Sequence, residues 1–325
     1  MPRCAHSLGA QSTLTAICVE IGFPNLGIQE NSHHMSQLPD ALRSLARRTL
    51  KSALRRIHSR FTDPIRLYSI DGLPLFAHEH ELITKTFPSY KGRSDTDRYS
   101  DPFFVRELYD QWGTCNLIDI GVNYGQDLLL QAAYKERSGI PGEIIGFEPN
   151  SRVFSLLVHT FRHNHIAATF HHAALGESPG SIILEGRKHN SQGMTTVGLS
   201  FPNIYEVVEV KTLDDALDPL MEQPCFMKLD TQGAEWLIWK GGNRFSRKRD
   251  IVVRTEFTPM GTKGIPGPAL LDYYFDLYTI IDAKMNTHVE REDKSAFCNR
   301  VASTYPHGYT DLYLIPRESP IVTRL

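Results

Sequence analysis

Short apolar runs alternate with amphipathic stretches along most of this chain, and the alternation becomes regular from about residue 113. Apolar runs of four to seven residues predict strands at Cys115–Ile120, Glu143–Phe147, Ala168–His172, Cys225–Leu229, Ile251–Phe257, Tyr278–Asp282 and Leu312–Ile315. Segments with a helical period fall between them, at 125–137, 151–164, 233–241 and 268–275. That order, strand then helix, is the habit of a parallel sheet covered on both faces. A further pair, Ser181–Glu185 and Val207–Val210, reads as strand additions flanking a polar loop, Asn190–Gly198.

The pattern before residue 113 is different. Two apolar runs between Ile65 and Ala77 surround Asp71-Gly72, a hairpin signal. A polar loop, 91–101, leads to a helix at Pro102–Trp112 with proline in its first turn. Leu42, Leu45, Leu50, Leu54, Ile57 and Phe61 recur at near-helical spacing through a stretch that holds seven basic residues and no acid between Arg43 and Arg60. This predicts a basic amphipathic helix over 35–62, which either packs its apolar stripe on a domain or lies on an anionic surface. Residues 1–34 lack a sustained period and are expected to be disordered, with Met35 as a natural start of translation. The organisation expected is therefore 1–34 disordered, 35–62 basic helix, 63–112 accessory region and 113–325 main domain.

Charge narrows the class. The 325 residues carry 35 Lys+Arg against 37 Asp+Glu, a net charge of −2, so the chain outside the basic stretch stands at −9. No basic groove for nucleic acid is evident, and a base-pocket motif of the N-P-P-Y type is absent. Five widely spaced cysteines with no C-x-x-C suggest neither a disulfide framework nor a zinc site. No apolar run approaches the roughly 18–20 residues that cross a bilayer. A cytoplasmic protein is expected, with peripheral contact at the inner membrane face through residues 43–60 as the alternative to packing of that helix on the domain.

The first predicted strand of the main domain ends in Asp119-Ile120-Gly121-Val122-Asn123-Tyr124-Gly125. A glycine turn at the carboxyl end of a parallel strand is where doubly wound sheets bind ligands, although the same turn also serves as a plain packing device. It is not G-x-G-x-x-G, and Asp119 would repel a pyrophosphate. S-adenosylmethionine fits better, because it carries a sulfonium and an α-ammonium and no phosphate. The second strand ends in Gly146-Phe147-Glu148-Pro149-Asn150, which puts a carboxylate where a ribose diol can donate to it.

Six blocks in order then carry a resemblance: DIGVNYGQD (119–127), GFEPNS (146–151), ALGE (174–177), VKTLDDAL (210–217), KLDTQGAEWLIWKGG (228–242) and RTEF (254–257). Together they resemble the FkbM-type methyltransferases over about 113–315. The resemblance implies an α/β, Rossmann-like class I methyltransferase fold: a seven-stranded, mostly parallel sheet with helices on both faces and its last strand antiparallel. It implies S-adenosylmethionine as methyl donor and O-methylation of a hydroxyl on a sugar, glycan or secondary metabolite. Carried over by position, Asp119, Gly121, Val122, Asn123 and Gly125 form the cofactor loop, Glu148 and Pro149 the ribose contact, and Ala173 and Ala174 the adenine edge. Thr231-Gln232 departs from the family's usual Val-Glu, and Val122 from its usual alanine.

Removing an alcohol's proton needs a base or a metal. Asp230, at the tip of the fourth strand, is the first candidate for the base, its bland alternative being a cap on the next helix. Glu235 could orient Lys228 or the acceptor, or simply favour the helix dipole. Glu256, at the tip of the fifth strand, completes the candidate set Lys228, Asp230, Glu235 and Glu256. Asp230 and Glu256 together could hold Mg²⁺, although two carboxylates do not define a metal site. His159, His163, His165, His171 and His172 read mostly as packing or surface residues, with a general base among them as the alternative. Asn190–Gly198 and Arg291–His307 are expected at the rim, recognising the acceptor. The rival reading is a non-catalytic, methyltransferase-like binding module attached to a membrane or polymer through its basic helix.

Overall fold

Asp71 and Gly72 both take positive φ, 50° and 82°, and this turn closes a hairpin of β1 (Ile65–Ile70) and β2 (Leu73–His78), as the Asp-Gly signal predicts. In this computed structural model the residues described are 64–79, 81, 83–87, 98–187, 190–196, 203–304 and 308–325, which form part of one compact unit, Pro64–Leu325. The basic stretch 43–60, Met35 and the N-terminal 34 residues lie outside the described residues. No helix among the described residues is long and apolar enough to cross a membrane.

Helix α1 (Asp101–Trp112) starts where Ser100 Oγ accepts the Phe103 N–H at 3.2 Å, and it stops at Gly113, whose φ of 77° a helix cannot continue. The chain then winds as β3 (Asn116–Ile120), α2 (Gln126–Arg137), β4 (Ile144–Phe147), α3 (Ser151–His163) and β5 (Thr169–His171). An insertion follows: β6 (Ala174–Gly176), β7 (Gly180–Arg187), β8 (Asn190–Thr196) and β9 (Asn203–Thr212), with a short helix α4 (Leu213–Ala216). Then come β10 (Cys225–Leu229), α5 (Glu235–Lys240), β11 (Ile251–Phe257), α6 (Gly267–Leu277), β12 (Tyr278–Asp282), β13 (Thr287–Val289), α7 (Lys294–Thr304) and β14 (Thr310–Pro316).

The main sheet has the order β13-β12-β14-β11-β10-β3-β4-β5. Its pairs from β11 to β5 are parallel, whereas β14 runs antiparallel to both of its neighbours. The expected seven strands become eight, because Thr287–Val289 adds an antiparallel edge to β12. Three residues with two polar side chains among them give too short a pattern to read. A second correction concerns the insertion, which is a separate four-stranded sheet, β6-β9-β7-β8. Much of the predicted loop Asn190–Gly198 is strand β8 within it.

Alternation along each central strand divides the core between two faces. Leu117, Phe226, Val252 and Tyr313 face one way, against Phe104 and Leu108 of α1, Leu128 and Leu129 of α2, and Leu157 and Phe161 of α3. Ile118, Met227, Val253 and Leu312 face the other, against Trp239 of α5, Leu270 and Tyr274 of α6, and Phe297 of α7. Both faces are dry, which is why the strands read as unbroken apolar runs.

Gly125, carried over as a cofactor residue, packs in the first of these cores. Its φ is 84°, and a Cβ there would stand 2.6 Å from Leu157 Cδ1 and 3.1 Å from Phe161 Cε2. Gly125→Ala should therefore lower stability by about 1–3 kcal/mol. Urea unfolding with an unchanged m-value would measure it, and a variant as stable as the parent would refute the packing role.

Candidate active site

The chain leaves β3 for β4 on one side and returns to β10 on the other, so the loops after β3 and β10 part at a topological switch point. There the backbone comes very close: the Asp230 N–H donates to Ile120 O at 3.1 Å, and a Cβ on Gly121 would lie 2.0 Å from Asp230 O. Only glycine fits this approach, which joins the two loops into one floor.

A cavity opens above that floor, with about 990 Å³ of space between protein atoms, mouth included. Gly121, Asn123, Glu148, Pro149, Ala173, Ala174, Lys228 and Asp230 line it, all of them expected from the sequence. Gln126, Asn150, Thr231, Gln232 and Lys263 add polar groups that sequence reasoning did not assign. Phe147, Leu175, Ile182, Leu184 and Ile238 supply an apolar wall. Ile182 and Leu184 come from β7, so the inserted sheet covers part of the site.

Glu148 is buried, and each of its oxygens accepts a backbone N–H: Oε2 from Asn123 and Oε1 from Asn150, both at 2.8 Å. Asn123 reaches this position with φ of 54°. Burial pushes the Glu148 carboxyl up to about 7, against the pull of those two hydrogen bonds. The remaining lone pairs can accept from a diol.

Asp119 lies beneath the cavity and not on its lining. It is wholly buried, and neither carboxyl oxygen accepts a hydrogen bond. Burial raises its pKa to about 6, with the Lys228 charge acting in the opposite direction. Lys228 stands 3.7 Å from Asp119 Oδ1, 3.5 Å from Asp127 Oδ2 and 3.2 Å from Asp230 Oδ2. Arg254 adds a second cation, 2.9 Å from Asp127 Oδ2 and bonded to Asp101. Two cations thus face four carboxylates, and the excess charge beneath the cavity is negative.

Asp230 does not cap the following helix, since α5 begins at Glu235 without a side-chain cap. Its oxygens instead accept from Lys228 Nζ at 3.2 Å and Gln232 Nε2 at 3.0 Å. Glu235 stands apart from the cavity lining and closes the preceding loop. Its Oε1 accepts from the Thr231 N–H, the Thr231 hydroxyl and the Gly233 N–H, at 2.9, 3.0 and 3.1 Å. Glu256 is also off the lining, because β10 stands between β11 and the cavity. Val122 lies off it as well, hydrogen-bonded through its N–H to Phe147 O at 3.2 Å and packed against Gly146. Among the described residues, no group of three or more His, Cys, Asp and Glu is arranged to hold a metal ion.

None of the five named histidines lines the cavity: His171 stacks on Phe147 at 4.8 Å, and His159 and His163 meet Phe76 edge-on. Within 291–307, Lys294–Thr304 is α7, whose Phe297 and Val301 are buried, and no described residue of the segment lines the cavity.

Against known families, the Methyltransferase FkbM domain matches residues 119–282. The Pyrococcus abyssi tRNA (uracil-54, C5)-methyltransferase in complex with S-adenosyl-L-homocysteine is 13 % identical, with a TM-score of 0.33 over 77 % of this chain and 43 % of that one. The T. Thermophilus 16S rRNA N2 G1207 methyltransferase in complex with AdoMet and guanosine is 13 % identical, with a TM-score of 0.34 over 78 % and 50 %. The bifunctional kinase-methyltransferase WbdD is 11 % identical, with a TM-score of 0.35 over 70 % and 40 %. The chain spans half or less of each of these three. No curated protein shows a significant match. The sheet is that of a class I methyltransferase with an eighth strand at its edge.

Burial, reinforced by the charges of Asp230, Glu235 and Asp311, raises the Glu256 carboxyl from 4.5 to about 8. The folded protein therefore binds this proton more tightly than the unfolded chain. The stability this confers is complete below pH 4.5 and lost as pH rises through 8. Glu256→Gln should flatten that decline in urea midpoints measured between pH 5 and 9. An equally steep decline in the variant would show that Glu256 ionises normally.

Proposed function

We propose that this chain, which belongs to the FkbM methyltransferase domain family, moves the methyl group of S-adenosylmethionine to a hydroxyl oxygen of a small-molecule or glycan acceptor. The observation that carries the reading is the charge of the cavity. Buried carboxylates of Asp119 and Glu148 stand at the ends of adjacent strands, with Asp119 unsatisfied by any hydrogen bond. Such a floor favours a cationic nucleoside and disfavours a polyphosphate.

The residues fit that donor. Glu148 would take the ribose diol, the apolar wall of Phe147, Ala173, Ala174 and Leu175 would take the adenine, and the floor around Gly121 and Asn123 would take the amino-acid end. When bound, S-adenosylmethionine supplies an electrophilic methyl on a sulfonium. The chain's part is to place an acceptor oxygen in line with that methyl and to take up its proton. Asp230 has the position for the second task, since it borders the cavity and Lys228 and Gln232 fix its orientation. Each oxygen keeps a lone pair for an acceptor hydroxyl. Glu235 acts one step back, by holding the Thr231–Gly233 loop that carries Gln232. The apolar Ile182, Leu184 and Ile238 exclude water from the same space.

Calorimetry with S-adenosylmethionine tests the donor assignment. Glu148→Ala should weaken binding by roughly ten- to a hundredfold, the worth of a hydrogen bond to a charged group. Unchanged affinity would remove Glu148 from the site. Release of S-adenosylhomocysteine over a panel of hydroxylated acceptors then tests the chemistry. Asp230→Asn should keep donor affinity and lose about 10²–10⁴-fold in turnover, and full turnover in that variant would dismiss Asp230 as the base. A chelator added to the same assay reads out any metal requirement.

A further inference from the structure

Four side chains in register form one row across the main sheet. Lys228 pairs with Asp119 on β3 and with Arg254 on β11, and Arg254 pairs with Tyr313 on β14. All four lie on the face covered by α1 and α2, whose first turns contribute Asp101 and Asp127. Of the row, only Lys228 reaches the cavity.

Arg254 is 8 % exposed and holds two carboxylates at once. One is Asp101, which also accepts from Tyr313 Oη at 2.7 Å and Gln131 Nε2 at 2.8 Å. The other is Asp127, at 2.9 Å. Asp127 in turn lies 3.5 Å from Lys228, whose ammonium is shared with Asp230 and Asp119. Two cations therefore divide Asp127 between them, and three carboxylates divide Lys228. Without the guanidinium, Asp127 would pull harder on Lys228 and draw it from the other two.

We propose that Arg254, although outside the cavity, is a positioning residue of the donor site: by occupying Asp127 it leaves the Lys228 ammonium to Asp230 and Asp119. The role in donor binding rests on the function proposed above, whereas the electrostatic division of Lys228 does not. Asp119 is a suitable reporter, because the charged groups around it are few. They are Asp127 from α2, Lys228 and Asp230 from β10 and its loop, Arg254 from β11, and Glu148 beyond β4. Lys228 and Arg254 lower its pKa, while Asp127 and Asp230 raise it.

The experiment follows the carboxyl carbon of Asp119 in the full chain, labelled with ¹³C-aspartate and free of donor, with the resonance identified by its loss in Asp119→Asn. The parent should titrate near 6. Arg254→Gln should move the midpoint up by about one pH unit. Asp127→Asn should move it down, and the double variant should return close to the parent. If Arg254→Gln does not fold, Arg254→Lys serves, since one ammonium cannot bridge both aspartates and should give a smaller upward shift. An unmoved midpoint, or a double variant displaced as far as the single one, overturns the proposal. Calorimetry with S-adenosylmethionine on the same proteins separates the two ideas. Donor affinity should fall about tenfold in Arg254→Gln and recover in the double variant, by the loss expected when one hydrogen-bonded charge is misplaced. A parent that binds no donor would defeat the methyltransferase reading, and the titration would still decide the role of Arg254.

Discussion

The burial of charge between the main sheet and helices α1 and α2 constrains everything else in this molecule. Lys228 and Arg254 are 5 % and 8 % exposed, in a face otherwise built from Leu117, Phe226, Val252 and Phe104. An isolated buried ion is very costly, and it persists only when opposite charge and hydrogen bonds surround it. Here each cation reaches at least two carboxylates, two of them from helix first turns, where an acid is favoured by the dipole. The same arrangement fixes strand register. A slip of one residue in β10 or β11 would turn Lys228 or Arg254 into the opposite face, among Trp239 and Tyr274 and away from Asp101, Asp119 and Asp127. The charged row is therefore a device of specificity as much as of stability.

Because the row is fixed, the ends of the strands are fixed too, and the cavity sits on those ends. Asp119 is two residues before Gly121, Lys228 two residues before Asp230, and Arg254 two residues before Glu256. Gly121 and Asp230 follow directly on the ends of β3 and β10, whereas Glu256 lies within β11. The polar row thus lies just before Gly121 and Asp230, which line the cavity, and the close approach of Gly121 to the Asp230 carbonyl locks those two strand ends together. A change in the row is transmitted upward through a few bonded contacts, with no hinge required.

Much of this was legible in the sequence, for physical reasons that also explain the failures. The central strands β3, β4, β10 and β11 are buried on both faces, so their composition alone revealed them, and the ends of β4 and β10 pointed to Glu148 and Asp230. Asp71-Gly72 announced its turn through the only backbone conformation such a turn allows. The strand β13 was hidden because three residues, two exposed and one buried, are too few to carry a period. The polar composition of Asn190–Thr196 suggested a loop, yet an edge strand in a small inserted sheet can be just as polar. Glu235 and Glu256 were singled out by position along the chain, one in the first turn of a helix and the other at a strand tip, which is a one-dimensional criterion. Whether a tip faces the cavity or stands one strand away depends on sheet order, and whether a carboxylate is available depends on loop donors such as the Thr231 and Gly233 N–H groups. Gln126 and Lys263 had no signal, being an amide at a helix start and a lysine in a loop.

The electrostatics of the floor also bear on which form of the site meets a ligand. Burial, only partly offset by the charges and hydrogen bonds around them, keeps Asp119 and Glu148 protonated up to about 6 and about 7, so near neutral pH each holds its proton only loosely. Two features keep the ionised forms within reach: the Lys228 and Arg254 charges near Asp119, and the two backbone N–H groups on Glu148. A ligand bearing positive charge would tip the balance at Asp119, and a pair of hydroxyl donors would tip it at Glu148. In both cases arrival of the ligand and loss of a proton are linked, since each favours the same ionised carboxylate. A phosphate-bearing ligand would act the other way, raising both pKa values and meeting two neutral acids in place of a complementary field. The discrimination therefore resides less in any single contact than in carboxylates held, by burial and by two cations beneath them, at the edge of ionisation.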